Sequence, residues 1–276
     1  MATTETYETV KVERDGGITF IYFNRPEKRN AMNPQLCFDM EKAWMKHETD
    51  EETKVIVLAG QGPAWSAGMD LKEYFRANDN NPEAQYRAWM ANKRWQWECI
   101  TNCRKPTIAM VHGFCFGGAF VPLCACDLAI AADEATFGLS EINWGIIPGG
   151  LVSKVVADMM SARDGMFYAM TGRTFDGKQA AAMKLVNYSV PAAKLREETV
   201  KLAHELMEKP PIPLAYTKQA MHYVGTMDVP AAYEYLAMKN MALRFVDQKR
   251  RSRDQGIEKF IDKKEYRPGL GPVKVD

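Results

Sequence analysis

The sequence predicts an α/β core with a helical region appended at its C-terminal end. A unit of apolar strand, glycine-containing loop and helix recurs up to about residue 195, and beyond it the composition turns helical. Residues 54–60, 107–111 and 128–131 are short apolar runs that read as strands, the first stopped by Gly60. Residues 83–103 and 118–126, lying between them, have helical character. Residues 1–195 are therefore expected to form the core and 196–276 the helical region.

In chain order, residues 10–13, the Asp15-Gly16-Gly17 turn and the β-rich run 18–23 read as a hairpin. The charged loop Arg25-Pro26-Glu27-Lys28-Arg29-Asn30 follows. Asn33 and Pro34 supply an N-cap and a first-turn proline, and Leu36, Met40, Ala43, Trp44 and His47 recur at helical spacing, which predicts a helix. The C-terminal helices should break at Pro210-Pro211-Ile212-Pro213 and at Pro230. They carry Tyr233, Tyr235, Leu236, Met238, Met241 and Phe245, more large side chains than a solvated surface calls for, so packing on the core or on a neighbouring subunit is expected.

Thirty-six Lys and Arg against 35 Asp and Glu leave a net charge of +1, so no global field draws in nucleic acid or an anionic membrane. The basic run Lys249-Arg250-Arg251-Ser252-Arg253 is flanked by acids and reads as a solvated helix face or a subunit contact. Residues 1–8 carry acids and threonines where a secretory signal has a basic start and an apolar run, so export is not expected. The longest uncharged stretch, 114–126, falls short of the roughly 20 apolar residues of a spanning helix and reads as core. Cys37, Cys99, Cys103, Cys115, Cys124 and Cys126 show no Cys-x-x-Cys and no paired Cys/His spacing. They read as buried thiols of a reducing, cytoplasmic setting, with no metal site expected.

Four glycine-containing loops stand at strand ends: 59–63, 66–70, 113–118 and 145–150. None has the spacing of a phosphate cradle. Glycine before a helix lets the backbone approach a ligand and leaves first-turn N–H groups pointing outward. Ala67-Gly68-Met69-Asp70 and Phe116-Gly117-Gly118-Ala119 have this form; facing each other they would make an oxyanion hole, and separately they are tight turns between packed elements. Glu141 is a lone carboxylate in the apolar and aromatic run 136–145. It is either exposed by a turn or partly desolvated, and desolvation would raise its pKa toward the range useful for proton transfer. Tyr74, Trp95, Trp97 and Trp144 suit either an aromatic ligand's pocket or the core, and His112, following an apolar strand, is expected to make a structural hydrogen bond.

Taken jointly and in order, these pieces resemble the crotonase (enoyl-CoA hydratase/isomerase) superfamily from about residue 10 to 260. The matching runs are residues 24–32, Ser66-Ala67-Gly68-Met69-Asp70-Leu71, Lys105-Pro106-Thr107-Ile108-Ala109, Gly117-Gly118, Cys126-Asp127 and 137–149. Within the superfamily, runs 67–75 and 137–145 are most similar to the hydroxycinnamoyl-CoA hydratase-lyase branch.

The resemblance implies a crotonase-like spiral of ββα units with a C-terminal helical trimerisation region, the trimers often paired into hexamers. It implies an acyl-CoA substrate that carries its own coenzyme A, no separate cofactor, and hydration followed by retro-aldol cleavage to an aromatic aldehyde and acetyl-CoA. The N–H groups of Met69 and Gly118 would bind the thioester oxygen, each donor contributing about 3 kcal/mol to the transition state. Glu141 matches the glutamate that activates water and then moves protons during cleavage. Lys28, Ala67, Leu71, Ser140 and Trp144 fall where the family contacts coenzyme A or the acyl group, and Tyr74 where the lyase contacts the phenol.

Two positions depart from the pattern. Val121 stands where hydratases have a second glutamate and the lyase a serine, and Ala237 stands where the lyase has a phenol-gripping tyrosine, for which Tyr235 or Tyr233 would substitute if the helix is shifted, Tyr235 being the substrate-binding candidate. A two-glutamate hydratase is disfavoured. A single-glutamate hydratase or isomerase without C–C cleavage, and a non-catalytic CoA-binding or scaffolding homologue, are the alternatives.

Overall fold

The hairpin, with its β-branched and aromatic residues, starts a seven-stranded sheet. In the computed structural model, which describes residues 3–78 and 80–265, β1 (Thr3–Thr6) pairs antiparallel with β2 (Val10–Asp15). The β2 strand turns through Gly16 and Gly17 into β3 (Ile18–Phe23). α1 (Pro34–Thr49) begins at Asn33, whose side chain accepts from the Leu36 N–H at 2.9 Å. The predicted stripe of Leu36, Met40, Ala43, Trp44 and His47 is buried along it.

The spiral follows. β4 (Val55–Gly60) lies parallel to β3 and is followed by a π-helical turn, Leu71–Phe75. Next come α2 (Pro82–Lys93), a further π turn over Arg94–Cys99 and the short α3 (Ile100–Asn102). β5 (Thr107–Val111) adds to the large sheet, β6 (Phe114–Phe116) to a small one, and α4 (Phe120–Ala125) closes that unit. The alternation repeats, β7 (Leu128–Ala132) joining the large sheet and β8 (Thr136–Gly138) the small one. α5 (Val152–Met159), α6 (Ala162–Thr171), β9 (Thr174–Asp176), α7 (Gly177–Ala182), β10 (Tyr188–Val190) and α8 (Leu195–Met207) complete the first unit. The large sheet runs β1-β2-β3-β4-β5-β7-β10 and the small one β6-β8-β9. Asp127 ties neighbouring turns of the spiral, its Oδ2 accepting from the Thr107 N–H at 2.8 Å and the Thr107 hydroxyl at 2.9 Å.

Large residues fill the space over the sheet. Trp44, Trp65 and Trp95 are fully buried, and Phe23 meets Trp65 and Trp95 edge-on with ring centroids 5.3 Å and 5.8 Å away.

The chain divides between Met207 and Glu208 into two compact units. The expected boundary at residue 196 falls inside α8 because that helix buries Leu195, Thr199 and Ala203 on one face and packs on β4, β5 and β7. In the second unit α9 (Pro211–Val224) packs on α10 (Val229–Val246), and α11 (Ser252–Ile257) follows. The helical region is broken at both expected places, between Met207 and Pro211 and between Val224 and Val229, and Pro211, Pro213 and Pro230 fall in the first turns of the helices that follow. First-turn positions have no intrahelical N–H partner to lose. Among the described residues no helix is long and apolar enough to cross a membrane.

Candidate active site

Two loops from different parts of the spiral meet at one end of a cavity. Residues 66–70 are held on both flanks. Met32 pairs with Met69 and Ser66 with Cys115, each as an isolated parallel bridge. Hydrogen bonds run from the Met32 N–H to the Gly68 carbonyl at 2.8 Å and from the Asp70 N–H to the Met32 carbonyl at 2.9 Å. In a parallel bridge that pattern directs the N–H of the paired residue, Met69, away from the Met32 backbone. Gly118 lies in the first turn of the short helix leading into α4, where the N–H has no intrahelical acceptor. Among the described residues neither the Met69 nor the Gly118 N–H has a protein acceptor.

Glycine is required where the loops touch. Gly68 has φ +87°, and a Cβ on it would fall 2.5 Å from the Phe116 carbonyl oxygen and 3.3 Å from the Gly118 nitrogen. Gly117 has φ +50°, and a Cβ there would sit 3.0 Å from Glu141 Oε1. One glycine thus brings the donor loops together and the other makes room for the carboxylate.

The run 24–32 turns out to be the brace behind the first loop. The buried Arg25 guanidinium donates to the Ala31 carbonyl at 2.6 Å, to Asp70 Oδ2 at 3.1 Å and to Glu73 Oε2 at 2.9 Å. Asp70 Oδ1 in turn accepts from the N–H groups of Lys72 and Glu73, capping the π turn that carries Leu71 and Tyr74. Burial alone would raise the Asp70 pKa, but the Glu73 N–H and the Arg25 guanidinium outweigh it and hold the carboxyl below its ordinary value.

Glu141 opens a 3₁₀ turn, Glu141–Trp144, that ends at left-handed Gly145. It is 8% exposed, and its Oε2 is buried without a hydrogen-bond partner among the described residues. Burial raises its pKa, opposed in part by its own backbone N–H. A desolvated carboxylate with one oxygen free of hydrogen bonds is a poised proton acceptor.

The cavity measures about 930 Å³, and Glu141 is the only acid among its lining residues. Ala67, Met69, Leu71, Tyr74, Gly118, Ser140, Glu141 and Trp144, all expected at the site, line it. Lys28 is exposed and does not line it, whereas its neighbour Arg29 does. Tyr74 is largely buried, which raises its pKa, and its ring packs edge-on to Phe75 at 5.2 Å. Trp144 is 62% exposed at the rim, and Val121, 3% exposed, forms apolar wall. Tyr235 lies in the second unit on α10, packed edge-on to Tyr223 at 6.2 Å with the Lys239 ammonium 5.4 Å from its ring centre; Ala237 is exposed on the same helix. Trp97 lines the cavity while Trp95 is core, and His112 bonds the Gly62 carbonyl at 2.9 Å, a structural contact. Sequence reasoning did not single out Trp89, Asn92, Gln96 or Phe116, which also line the wall. The spacing of Trp89, Asn92, Gln96 and Trp97 along one helical stretch was the available signal.

Two backbone donors without a protein acceptor among the described residues and one desolvated carboxylate lining the same cavity suit thioester enolate chemistry. The chain belongs to the enoyl-CoA hydratase/isomerase family, whose model matches residues 13–267. It is 50% identical over 269 residues to the hydroxycinnamoyl-CoA hydratase-lyase of Pseudomonas fluorescens, a match covering 97% of each chain. Among solved structures, an enoyl-CoA hydratase of Mycobacterium smegmatis superposes with a TM-score of 0.84 at 26% identity, over 93% of this chain and 97% of that one. An enoyl-CoA hydratase subunit of Geobacillus kaustophilus gives 0.83 at 27%, over 95% and 98%.

Proposed function

We propose that the chain adds water to the double bond of a hydroxycinnamoyl-type acyl-CoA and cleaves the adduct to an aromatic aldehyde and acetyl-CoA. The observation that carries this reading is the pairing of the buried Glu141 carboxylate, its Oε2 without a partner, with the two donor loops in a cavity lined by no second acid among the described residues. The identity with the hydratase-lyase over nearly the whole chain supports the aryl acyl group.

In hydration, Glu141 takes a proton from water as the oxygen bonds to Cβ, and the double-bond electrons move to the thioester oxygen. The N–H groups of Met69 and Gly118 bind the resulting enolate, to whose Cα Glu141 returns the proton it took from water. For cleavage, Glu141 removes the proton of the β-hydroxyl and the Cα–Cβ bond breaks. The carbonyl of the aldehyde forms, the bond electrons return to the same enolate, and Glu141 gives the proton to Cα, releasing acetyl-CoA. One oxyanion site and one acid/base group serve both steps.

Leu71, Tyr74 and Trp144 would hold the aryl group, and Ala67, Ser140 and the basic Lys28-Arg29 pair the coenzyme A. No cofactor beyond the substrate's own coenzyme A enters these steps. A cytoplasmic homotrimer or dimer of trimers completes the proposal, with Tyr235 as a further candidate substrate-binding residue. The test is incubation with feruloyl-CoA and with crotonyl-CoA. Vanillin and acetyl-CoA from feruloyl-CoA, lost in Glu141→Ala, are expected. Loss of the conjugated thioester without aldehyde would identify a hydratase instead, and equal turnover of both substrates would remove the aryl preference.

A further inference from the structure

One polar side chain in the cavity wall has only poor partners. Gln96 lies in the π turn after α2, is 4% exposed and lines the cavity. Its amide nitrogen donates to two thioether sulfurs, Met32 Sδ at 3.3 Å and Met69 Sδ at 3.7 Å. Its amide oxygen accepts from no group among the described residues, yet it is not sealed off in the interior as Glu141 Oε2 is. Thioethers are weak acceptors, and a glutamine this deeply buried ordinarily satisfies both ends of its amide. With the nitrogen directed to the sulfurs, the oxygen is left for the cavity.

The position of Gln96 along the cavity follows from its neighbours. The Met69 side chain lies against Gly118 and bridges from the donor loops to Gln96. One helical turn earlier, Asn92 also lines the cavity and accepts from the Cys37 thiol at 3.5 Å. Cys37 is near enough to Tyr74 to reinforce the effect of burial on that phenol, and α2 packs on the π turn that carries Tyr74. The order along the wall is therefore donor loops, Gln96, then Asn92 and Tyr74. An acyl chain held by its thioester at the donor loops and extending toward Tyr74 passes Gln96 with its ring.

We propose that Gln96 determines acyl specificity, its amide oxygen accepting a hydrogen bond from a hydroxyl on the ring of an aryl acyl-CoA. This rests on the aryl acyl-CoA reading given above. In this wall the neighbouring lining groups Leu71, Phe75, Trp89 and Val121 are apolar, so a ring hydroxyl that missed Gln96, Asn92 and Tyr74 would be desolvated without a partner. A ring without a hydroxyl leaves the Gln96 oxygen unsatisfied instead. Discrimination arises from that mismatch.

The test is calorimetric binding of three unreactive thioesters, 3-phenylpropanoyl-CoA and its 3-hydroxyphenyl and 4-hydroxyphenyl counterparts, to the unaltered protein and to Gln96→Met. Methionine keeps the volume and removes the acceptor. The unaltered protein should bind one hydroxylated ligand roughly five- to tenfold more tightly than the phenyl ligand. In Gln96→Met that ratio should fall to about one while phenyl-ligand affinity stays within about twofold. No discrimination by the unaltered protein, survival of the ratio in the variant, or equal weakening toward all three ligands would each overturn the proposal. Gln96→Leu replaces Gln96→Met in the same comparison if circular dichroism shows the latter unfolded. These ligands lack the double bond, so failure of the lyase reading appears separately, as absence of aldehyde from feruloyl-CoA.

Discussion

The two ends of the cavity are built in different ways. At the donor loops the groups proposed to act are backbone N–H groups, fixed by strand bridges to Met32 and Cys115 and by the Arg25 brace. At the acyl end they are side chains on α2 and two π turns: Tyr74, Asn92 and Gln96. Backbone groups can be misplaced but hardly replaced by substitution, whereas side chains can be exchanged one at a time. On the proposed reading the reaction is anchored where the fold is over-determined, and the choice of acyl group lies where it is adjustable.

The sharpest way to break this comparison is at the carboxylate. Glu141→Gln should lower kcat about a thousandfold, as removal of a general acid/base does, while leaving the affinity for an unreactive acyl-CoA nearly unchanged. Retention of turnover would remove Glu141 from the chemistry. Arg25→Met comes next: it strips the buried partner from Asp70 and Glu73 and should destabilise the chain by about 3 kcal/mol in urea unfolding. Gly117→Ala should cost about a hundredfold in kcat, because its Cβ would displace the carboxylate it faces and its φ of +50° disfavours a side chain. A loss confined to KM would show that Gly117 shapes binding and not the catalytic geometry. Smallest of these, Trp144→Ala at the exposed rim should raise KM by about threefold and leave kcat in place.

A pH series sharpens the same contrast without altering the acyl end. Burial raises the Glu141 pKa above its ordinary value of 4.5, so the folded protein holds this proton more tightly than the unfolded chain. The stability contributed by protonated Glu141 is full below the ordinary value and is lost as pH rises through the folded pKa. Activity needs the ionised base and should rise across the same window. In Glu141→Gln that segment of the stability profile should flatten; identical profiles would mean that the carboxylate is not desolvated in solution.

Much of the fold was readable from local pattern. The hairpin, the Asn33 cap with its buried stripe, the Gly-terminated strand 55–60 and the core strands 107–111 and 128–132 each follow from a repeat of two or 3.6 residues or from one turn residue. The C-terminal prolines marked the helix breaks, and Pro230 falls in the first turn of α10 behind the Asp228 cap, where a missing N–H costs nothing. The extent of the first unit was beyond composition, because α8 reads as one more C-terminal helix until its buried face is seen on the sheet.

For the site, sequence alone supplied the chemical types: glycines that permit close backbone approach, one carboxylate in an apolar run, and aromatic residues in helical stretches. Such features are local, and a chain encodes them position by position. Only the tertiary structure decided that Gly68 and Gly117 belong to one meeting point, that Glu141 is buried beside the second, and that Gln96 of the Trp-Gln-Trp run faces the cavity with its oxygen unmatched. These are relations between residues 49 (Gly68 and Gly117), 24 (Gly117 and Glu141) and 27 (Met69 and Gln96) positions apart, set by the spiral's long-range strand pairing, and periodicity within a short window carries no information about which distant loop will stand opposite.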